Sequence, residues 1–260
     1  MSDWAVILGA SSGFGGATAR ALAKAGLNIV GVHLDRKATL PNVEAVRSDI
    51  ENAGREALFF NINAADGGKR SEVVNKLVAA AGEEGRVKVL LHSLAFGVLQ
   101  KFFSNEADDA ITQPQIEMTL NVMASSLVYW TQDLYQAGLL RQGSQIFALT
   151  SSGGHSQWPF YGAISATKAA LESYMRQIAF ELARSGIAAN TIQAGVTDTP
   201  ALRKIPGSAE MIDRALAVNP SGRLTLPEDV AAAITQIGLS ENTFMTGNVI
   251  RVDGGEDITG

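Results

Sequence analysis

The chain has no cysteine, which removes disulfides, thiolate nucleophiles and cysteine metal sites and leaves the cytosol as the default compartment. It has three histidines, His33, His92 and His155, scattered without ligand spacing, so no metal site is expected. No apolar run approaches the roughly 18 residues needed to span a bilayer. The start, Met1-Ser2-Asp3-Trp4, carries an acid where a secretion signal needs positive charge. Nor is there a cluster of lysine and arginine: 21 basic and 26 acidic side chains leave a net charge of -5. Nucleic-acid binding, which draws its affinity from neutralising phosphates, is therefore not expected.

What the chain does have is the composition of one sizeable core, with 46% hydrophobic and 18% charged residues in 260. Short β-branched runs alternate with longer alanine-rich amphipathic stretches, the pattern of repeated βαβ units and a parallel sheet. Strands are predicted over Trp4–Leu8, Asn28–Leu34, Ala57–Ile62, Val87–His92, Gln145–Thr150, Ala188–Gln193 and Asn248–Val252. Helices are predicted over Gly15–Ala25, Lys69–Ala81, Ile116–Ala137, Ile164–Arg184 and Pro227–Gly238, the last opened by a proline and two acids. No linker or repeat divides the chain, so residues 1–260 read as a single α/β domain, a doubly wound Rossmann-type fold with a mainly parallel seven-stranded sheet. Thr199 to Pro220, with two internal prolines and weak periodicity, reads as a mobile lid with partial helix.

Directly after the first strand stands Gly9-Ala10-Ser11-Ser12-Gly13-Phe14-Gly15-Gly16, opening a helix. Glycines there permit a sharp turn, close approach of amides to a pyrophosphate and tight helix–strand packing, while the helix N-terminus favours negative charge. The spacing, G-x-x-x-G-x-G, is one residue longer at its first gap than the common dinucleotide fingerprint. Asp35 ends the second strand 26 positions beyond Gly9, where an acid can bind adenosine ribose hydroxyls and repel a 2′-phosphate. That favours NADH, and Arg36 beside it keeps NADPH open, because a guanidinium pairs with a 2′-phosphate.

Tyr161 and Lys168 lie seven positions apart in a run leading into an alanine-rich helix, so both can border one cleft without touching. Nearby lysine charge is expected to lower the phenol pKa from its reference of about 10. Taken alone, the two residues also fit a packed helix start and a solvated surface charge.

The glycine turn, Tyr161 with Lys168, Thr119-Leu120-Asn121-Val122, the Gly195 turn and the ending Val252-Asp253-Gly254-Gly255 together resemble the short-chain dehydrogenase/reductase family over essentially the whole chain. Ketone-reducing members of that family carry tyrosine four residues before the lysine, where this chain has Ile164. A tyrosine seven before, His92-Ser93-Leu94-Ala95-Phe96 after the fourth strand and Gln193-Ala194-Gly195 after the sixth are similar to the enoyl-acyl-carrier-protein reductases of fatty acid synthesis. With the ordinary glycine turn, the combination looks most like the third bacterial type of that enzyme.

The shift has a chemical reason. In a ketone the proton donor stands beside the atom that receives hydride. In an enoyl thioester hydride goes to the β-carbon and charge appears on the thioester oxygen, two bonds further away, so the stabilising hydroxyl must be displaced too. The resemblance therefore gives Tyr161 the enolate oxygen, Lys168 the nicotinamide ribose, Ser151 a second contact to substrate or ribose, and Asn121 a water-mediated contact to Lys168. Thr150 and Ser152 remain alternatives to Ser151, and Asn121 also fits a plain helix-interior residue.

For the cofactor the resemblance implies Gly9, Ser11, Ser12, Gly13, Phe14 and Gly15 at the pyrophosphate and Asp35 and Arg36 at the adenosine ribose. Asn61 and Ile62 would flank the adenine, and Ser93, Leu94 and Ala95 would line the riboses. Ala194, Gly195, Val196, Thr197 and Thr199 would surround the carboxamide or a phosphate oxygen. Phe96, Trp158, Tyr161, Leu202 and Ile205 are expected to receive an acyl chain, though the apolar lid residues equally fit ordinary helix packing.

Arg203, Lys204 and Arg214 could meet an acidic carrier protein, and the long helices imply a homotetramer. Two other readings stay open: a ketone, 3-oxoacyl or alcohol dehydrogenase of the same family, and a catalytically silent dinucleotide sensor or scaffold.

Overall fold

The structure, a computed structural model, describes residues 3–105 and 109–259. Strands β1 (Asp3–Leu8), β2 (Asn28–His33), β3 (Ala57–Asn61), β4 (Arg86–His92), β5 (Gln145–Thr150), β6 (Ala188–Ala194) and β7 (Val249–Val252) form one sheet in the order β3-β2-β1-β4-β5-β6-β7. Every pairing is parallel. The helices are α1 (Gly13–Lys24), α2 (Leu40–Asn52), α3 (Gly67–Ala81), α4 (Gln113–Leu120), α5 (Ser126–Gln136), α6 (Gly162–Leu182), α7 (Ser208–Val218) and α8 (Pro227–Gly238). No helix among the described residues is long and apolar enough to cross a membrane.

The strands show why the sheet is covered on both faces. Along β1, Trp4, Val6 and Leu8 point to one side and pack with Leu77 of α3, Trp130 of α5 and Met175 of α6. Ala5 and Ile7 point to the other and pack with Leu22 of α1, Ile50 of α2 and Ile234 of α8. This two-residue alternation between two apolar layers makes the strand apolar throughout. The sheet turns back between β1 and β4, and the crevice beyond their carboxyl ends is where such sheets bind ligands.

Two elements differ from expectation. Helix α2 is an added one: only Val43, Val46 and Ile50 are buried, a narrow stripe at spacings of three and four in a polar segment. The helix expected over Ile116–Ala137 is two, α4 and α5, joined by a wider π turn at Asn121–Ser125. The expected lid carries a short 3-10 turn, Leu202–Lys204, and then α7.

Candidate active site

A cleft of about 740 Å³ opens at the carboxyl ends of the strands, running from the glycine turn past β4 and β5 to α7. The glycine turn is built by close approach. Gly9 takes φ +93°, and a side chain there would collide with the Ser93 carbonyl, so backbone of the turn and of the β4 end pack directly. Gly15 does not line the cleft as expected: its place is against the Gly9 carbonyl, which a methyl group would strike. Ser12 caps α1 without a side-chain hydrogen bond, and no acid stands in the first turn. The helix end thus keeps donors for an anion.

Tyr161 is the N-cap of α6. Phe160 before it is the one residue other than glycine with positive φ, +65°, among the described residues, and the Lys101 ammonium lies 5.4 Å from its ring centre. The Phe102 ring lies over Gly162, close enough to exclude a side chain there. The β4–α4 loop therefore braces the residues on both sides of Tyr161. Its ring and Ser151 Oγ converge on the face of Gly153, 2.6 and 3.2 Å from where a side chain would start. Burial pushes the phenol above its usual value of 10.0, and the nearby Ser151 hydroxyl acts against that. This corrects the expected lowering by lysine. Lys168 does not act on the phenol; its Nζ donates to the Leu149 carbonyl at 2.7 Å.

Lys168 is only 8% exposed, and burial lowers its ammonium to about 8, with Glu172 one helical turn on acting the other way. Glu172 is anchored by Thr150, whose hydroxyl donates at 2.6 Å. On β4, His92 is 1% exposed. Its Nε2 lies 2.9 Å from Ser126 Oγ, and that hydroxyl donates to the Val122 carbonyl at 2.7 Å, so Nε2 carries the proton. Burial and the Lys168 charge push His92 down to about 3, so it stays neutral. Ser151 Oγ is buried, and among the described residues it has no partner in good hydrogen-bond geometry, the Tyr161 phenol being its polar neighbour.

The cleft gathers most of the expected cofactor residues: Gly9, Ser11, Ser12, Gly13, Phe14, Asp35, Ile62, Ser93, Leu94, Ala95, Lys168, Ala194, Gly195, Val196, Thr197 and Thr199. Phe96, Trp158, Tyr161, Leu202 and Ile205 line it too. Others stand elsewhere. Asn121 is exposed, because the π turn carries Val122 and Met123 into the cleft and leaves it outside. Asn61 is not at the cleft but clasps the backbone of Asp35, with both hydrogen bonds at 3.0 Å. Arg36 is exposed and does not line the cleft. Arg203, expected to face a carrier, is neutralised by Asp198, its guanidinium 2.7 and 2.9 Å from the two carboxylate oxygens. Lys204 and Arg214 do line the cleft.

Some lining residues were not anticipated. His33, ending β2, and Ile164 of α6 both face the cleft. Val196 N–H donates to both Glu256 oxygens at 3.1 and 3.2 Å, so it is not free for a carboxamide while Glu256 stays there. Only folding the chain end back onto β6 reveals this contact. His33 had a signal, since it ends the strand that carries the ribose contact in such folds.

A family model described as "Enoyl-(Acyl carrier protein) reductase" matches residues 9–256. The chain belongs to the short-chain dehydrogenase/reductase family of oxidoreductases. Relatives include the cis-4-hydroxycyclohexanecarboxylate dehydrogenase of Sinomonas cyclohexanicum, 30% identical over 96% of this chain and 95% of that protein. The 3-oxoacyl-[acyl-carrier-protein] reductase of Thermotoga maritima is 26% identical over 96% of each. The NADH-dependent enoyl-[acyl-carrier-protein] reductase of Aquifex aeolicus is 30% identical over 68% of this chain and 64% of its own. An Aquifex aeolicus enoyl reductase structure superposes with a TM-score of 0.85 at 21% identity, covering 100% of this chain and 97% of that one. The Bacillus cereus enoyl reductase with NADP+ gives 0.86 at 22% identity, with the same coverage. At those identities the structures speak for the fold.

Proposed function

We propose that this protein reduces the carbon–carbon double bond of an enoyl thioester, the enoyl-acyl-carrier-protein reductase step of fatty acid biosynthesis, with a nicotinamide dinucleotide, NADH favoured. The observation that carries this is the pairing of Tyr161 with Ile164 along one wall. Both line the cleft with Lys168, but the place four residues before the lysine is apolar, and the phenol stands seven before it.

The residues present fit the cofactor. The glycine turn admits no side chain at Gly9 or Gly15, and a buried hydroxyl beside the Tyr161 phenol, Ser151 Oγ, lines the same cleft without a partner in good geometry among the described residues. When bound, the dinucleotide supplies hydride. The buried phenol, its pKa raised, keeps its proton at neutral pH and donates to the thioester oxygen as charge develops there. Lys168 supplies a positive field and a donor for the ribose, and Ser151 a second donor. Phe96, Trp158, Leu202 and Ile205 hold the acyl chain by burial at roughly 25 cal/mol per Å². Lys204 and Arg214 offer the charge for an acidic carrier. Phe180, 80% exposed on α6, supports packing of that helix against another copy in a homotetramer.

The second reading, 3-oxoacyl or other carbonyl reduction, draws support from the Thermotoga maritima and Sinomonas cyclohexanicum relatives. NADH oxidation with crotonyl thioester and none with acetoacetyl thioester is expected; the opposite preference overturns the proposal. A protein that binds NADH but is inert on both would revive the sensor reading. Light scattering tests the tetramer.

A further inference from the structure

The residue that ends β2 is a histidine. His33 is 4% exposed and lines the cleft on the β2 side of the glycine turn. Its Nδ1 lies 3.1 Å from Asp35 Oδ2. Asp35 is itself fixed, for its N–H donates to Asn61 Oδ1 and its carbonyl accepts from Asn61 Nδ2, each at 3.0 Å. The Phe59 ring packs against the imidazole with 6.2 Å between centres. Asp35 and Asn61 thus form a rigid bracket that fixes the imidazole at the cleft wall. A carboxylate on Nδ1 requires the proton to be there in the neutral ring, which leaves Nε2 as an acceptor. Protonation turns Nε2 into a charged donor.

We infer that His33, oriented by Asp35, is the specificity-determining contact for the adenosine ribose. As neutral imidazole, its Nε2 accepts a hydrogen bond from the 2′-hydroxyl of NADH. As imidazolium, the same nitrogen donates to the 2′-phosphate of NADPH. Asp35 is then a positioning residue rather than the sole acid facing the ribose. This rests on the dinucleotide reading above and adds to it a choice of cofactor that changes with pH.

The charged surroundings are simple. Asp35 is the charged group that acts on the ring, and burial outweighs it, holding the imidazole below its usual 6.5. β3 presents Phe59 and Asn61 beside it, β1 the apolar Leu8 against Val32, and Arg36 and Lys37 follow on the exposed turn. Near pH 8 the ring is neutral and NADH is favoured. Acidification, helped by a bound phosphate, charges the ring and favours NADPH.

The test is fluorescence titration of the whole protein with NADH and with NADPH, from about pH 8.5 to about pH 5.5, for the wild type, His33→Gln and Asp35→Asn. For the wild type, the ratio of the NADPH to the NADH dissociation constant should fall about tenfold or more on acidification, the scale of one charge-assisted hydrogen bond. In His33→Gln, where only the phosphate's own protonation titrates, the ratio should stay level or rise. In Asp35→Asn, the wild-type fall should move to lower pH, because the carboxylate that favours the charged ring is gone. This second variant decides the matter if the first does not fold. A fall in His33→Gln equal to that of the wild type overturns the inference alone, since both cofactors then bind without regard to His33. Failure of the wild type to bind either dinucleotide overturns the dinucleotide reading and this inference with it.

Discussion

Replacing Lys168 with methionine should stabilise the cofactor-free protein near neutral pH while removing most of its activity. An ordinary lysine titrates at 10.5, and burial brings this one to about 8. At about 1.4 kcal/mol per tenfold, that difference costs the folded state roughly 3 kcal/mol whenever the ammonium is charged. The sign follows from proton counts. Between about pH 8 and 10.5 the folded chain holds fewer protons than the unfolded one, so stability rises with pH across that window. The cost is full below about pH 8 and vanishes above 10.5. Methionine matches the stem in length and removes the charge, but it leaves the Leu149 carbonyl without the 2.7 Å bond it now accepts, a loss of about 1 kcal/mol. The net gain at pH 7 is therefore about 2 kcal/mol, a rise in melting temperature of roughly 4–8 °C for a chain of this size. Denaturant unfolding of both proteins at about pH 7, 8.5 and 10 measures it, with the advantage of the variant shrinking at each step. A variant less stable than the wild type at pH 7, or a gap that does not change with pH, would refute the assignment of a buried, strained charge.

Four further outcomes are expected. Tyr161→Phe keeps the ring against Gly153 and loses the donor to the developing oxyanion, so kcat for a crotonyl thioester should fall about 100- to 1000-fold with little change in NADH affinity; steady-state kinetics checks it. Gly15→Ala drives a methyl into the Gly9 carbonyl, so NADH affinity should drop tenfold or more although Gly15 does not itself line the cleft, as calorimetry would show. At Phe160, whose φ is +65°, asparagine should be tolerated, whereas valine should cost about 1–2 kcal/mol in stability and lower kcat through the displaced Tyr161. Substituting Lys204 and Arg214 with alanine should raise KM for a carrier-linked enoyl substrate but not for the coenzyme A thioester, whereas alanine at Arg203, already held by Asp198, should do little.

The sequence could reveal whatever local pattern determines. Strands β1 to β5 alternate residues between two apolar layers, and β7 keeps a β-branched run with only Ile250 and Val252 packed inward, so β1 to β7 were legible to within a residue or two. The glycine turn was legible because only glycine fits where Gly9 meets Ser93 and Gly15 meets Gly9. Helix α2 was hidden because a helix on the edge of a layer needs only Val43, Val46 and Ile50 to hold it, and three apolar residues in a polar run raise little signal. The misplaced residues share a different cause. Asn121 is turned outward by a π turn, and Asn61 is spent on the backbone of Asp35. Neither arrangement is set by the residue's own neighbours in sequence. The charges were the least legible, since a pKa reports surroundings that assemble only on folding. Lys168 was expected to act on Tyr161, but its nearest partner is a carbonyl of β5, and the carboxylate that steadies it, Glu172, is anchored from that strand by Thr150. The same folding that brings the phenol and lysine to one cleft also removes water from both, and desolvation is the largest cause of the shift in each. The cleft therefore holds a phenol that keeps its proton at neutral pH and a lysine whose ammonium titrates at about 8.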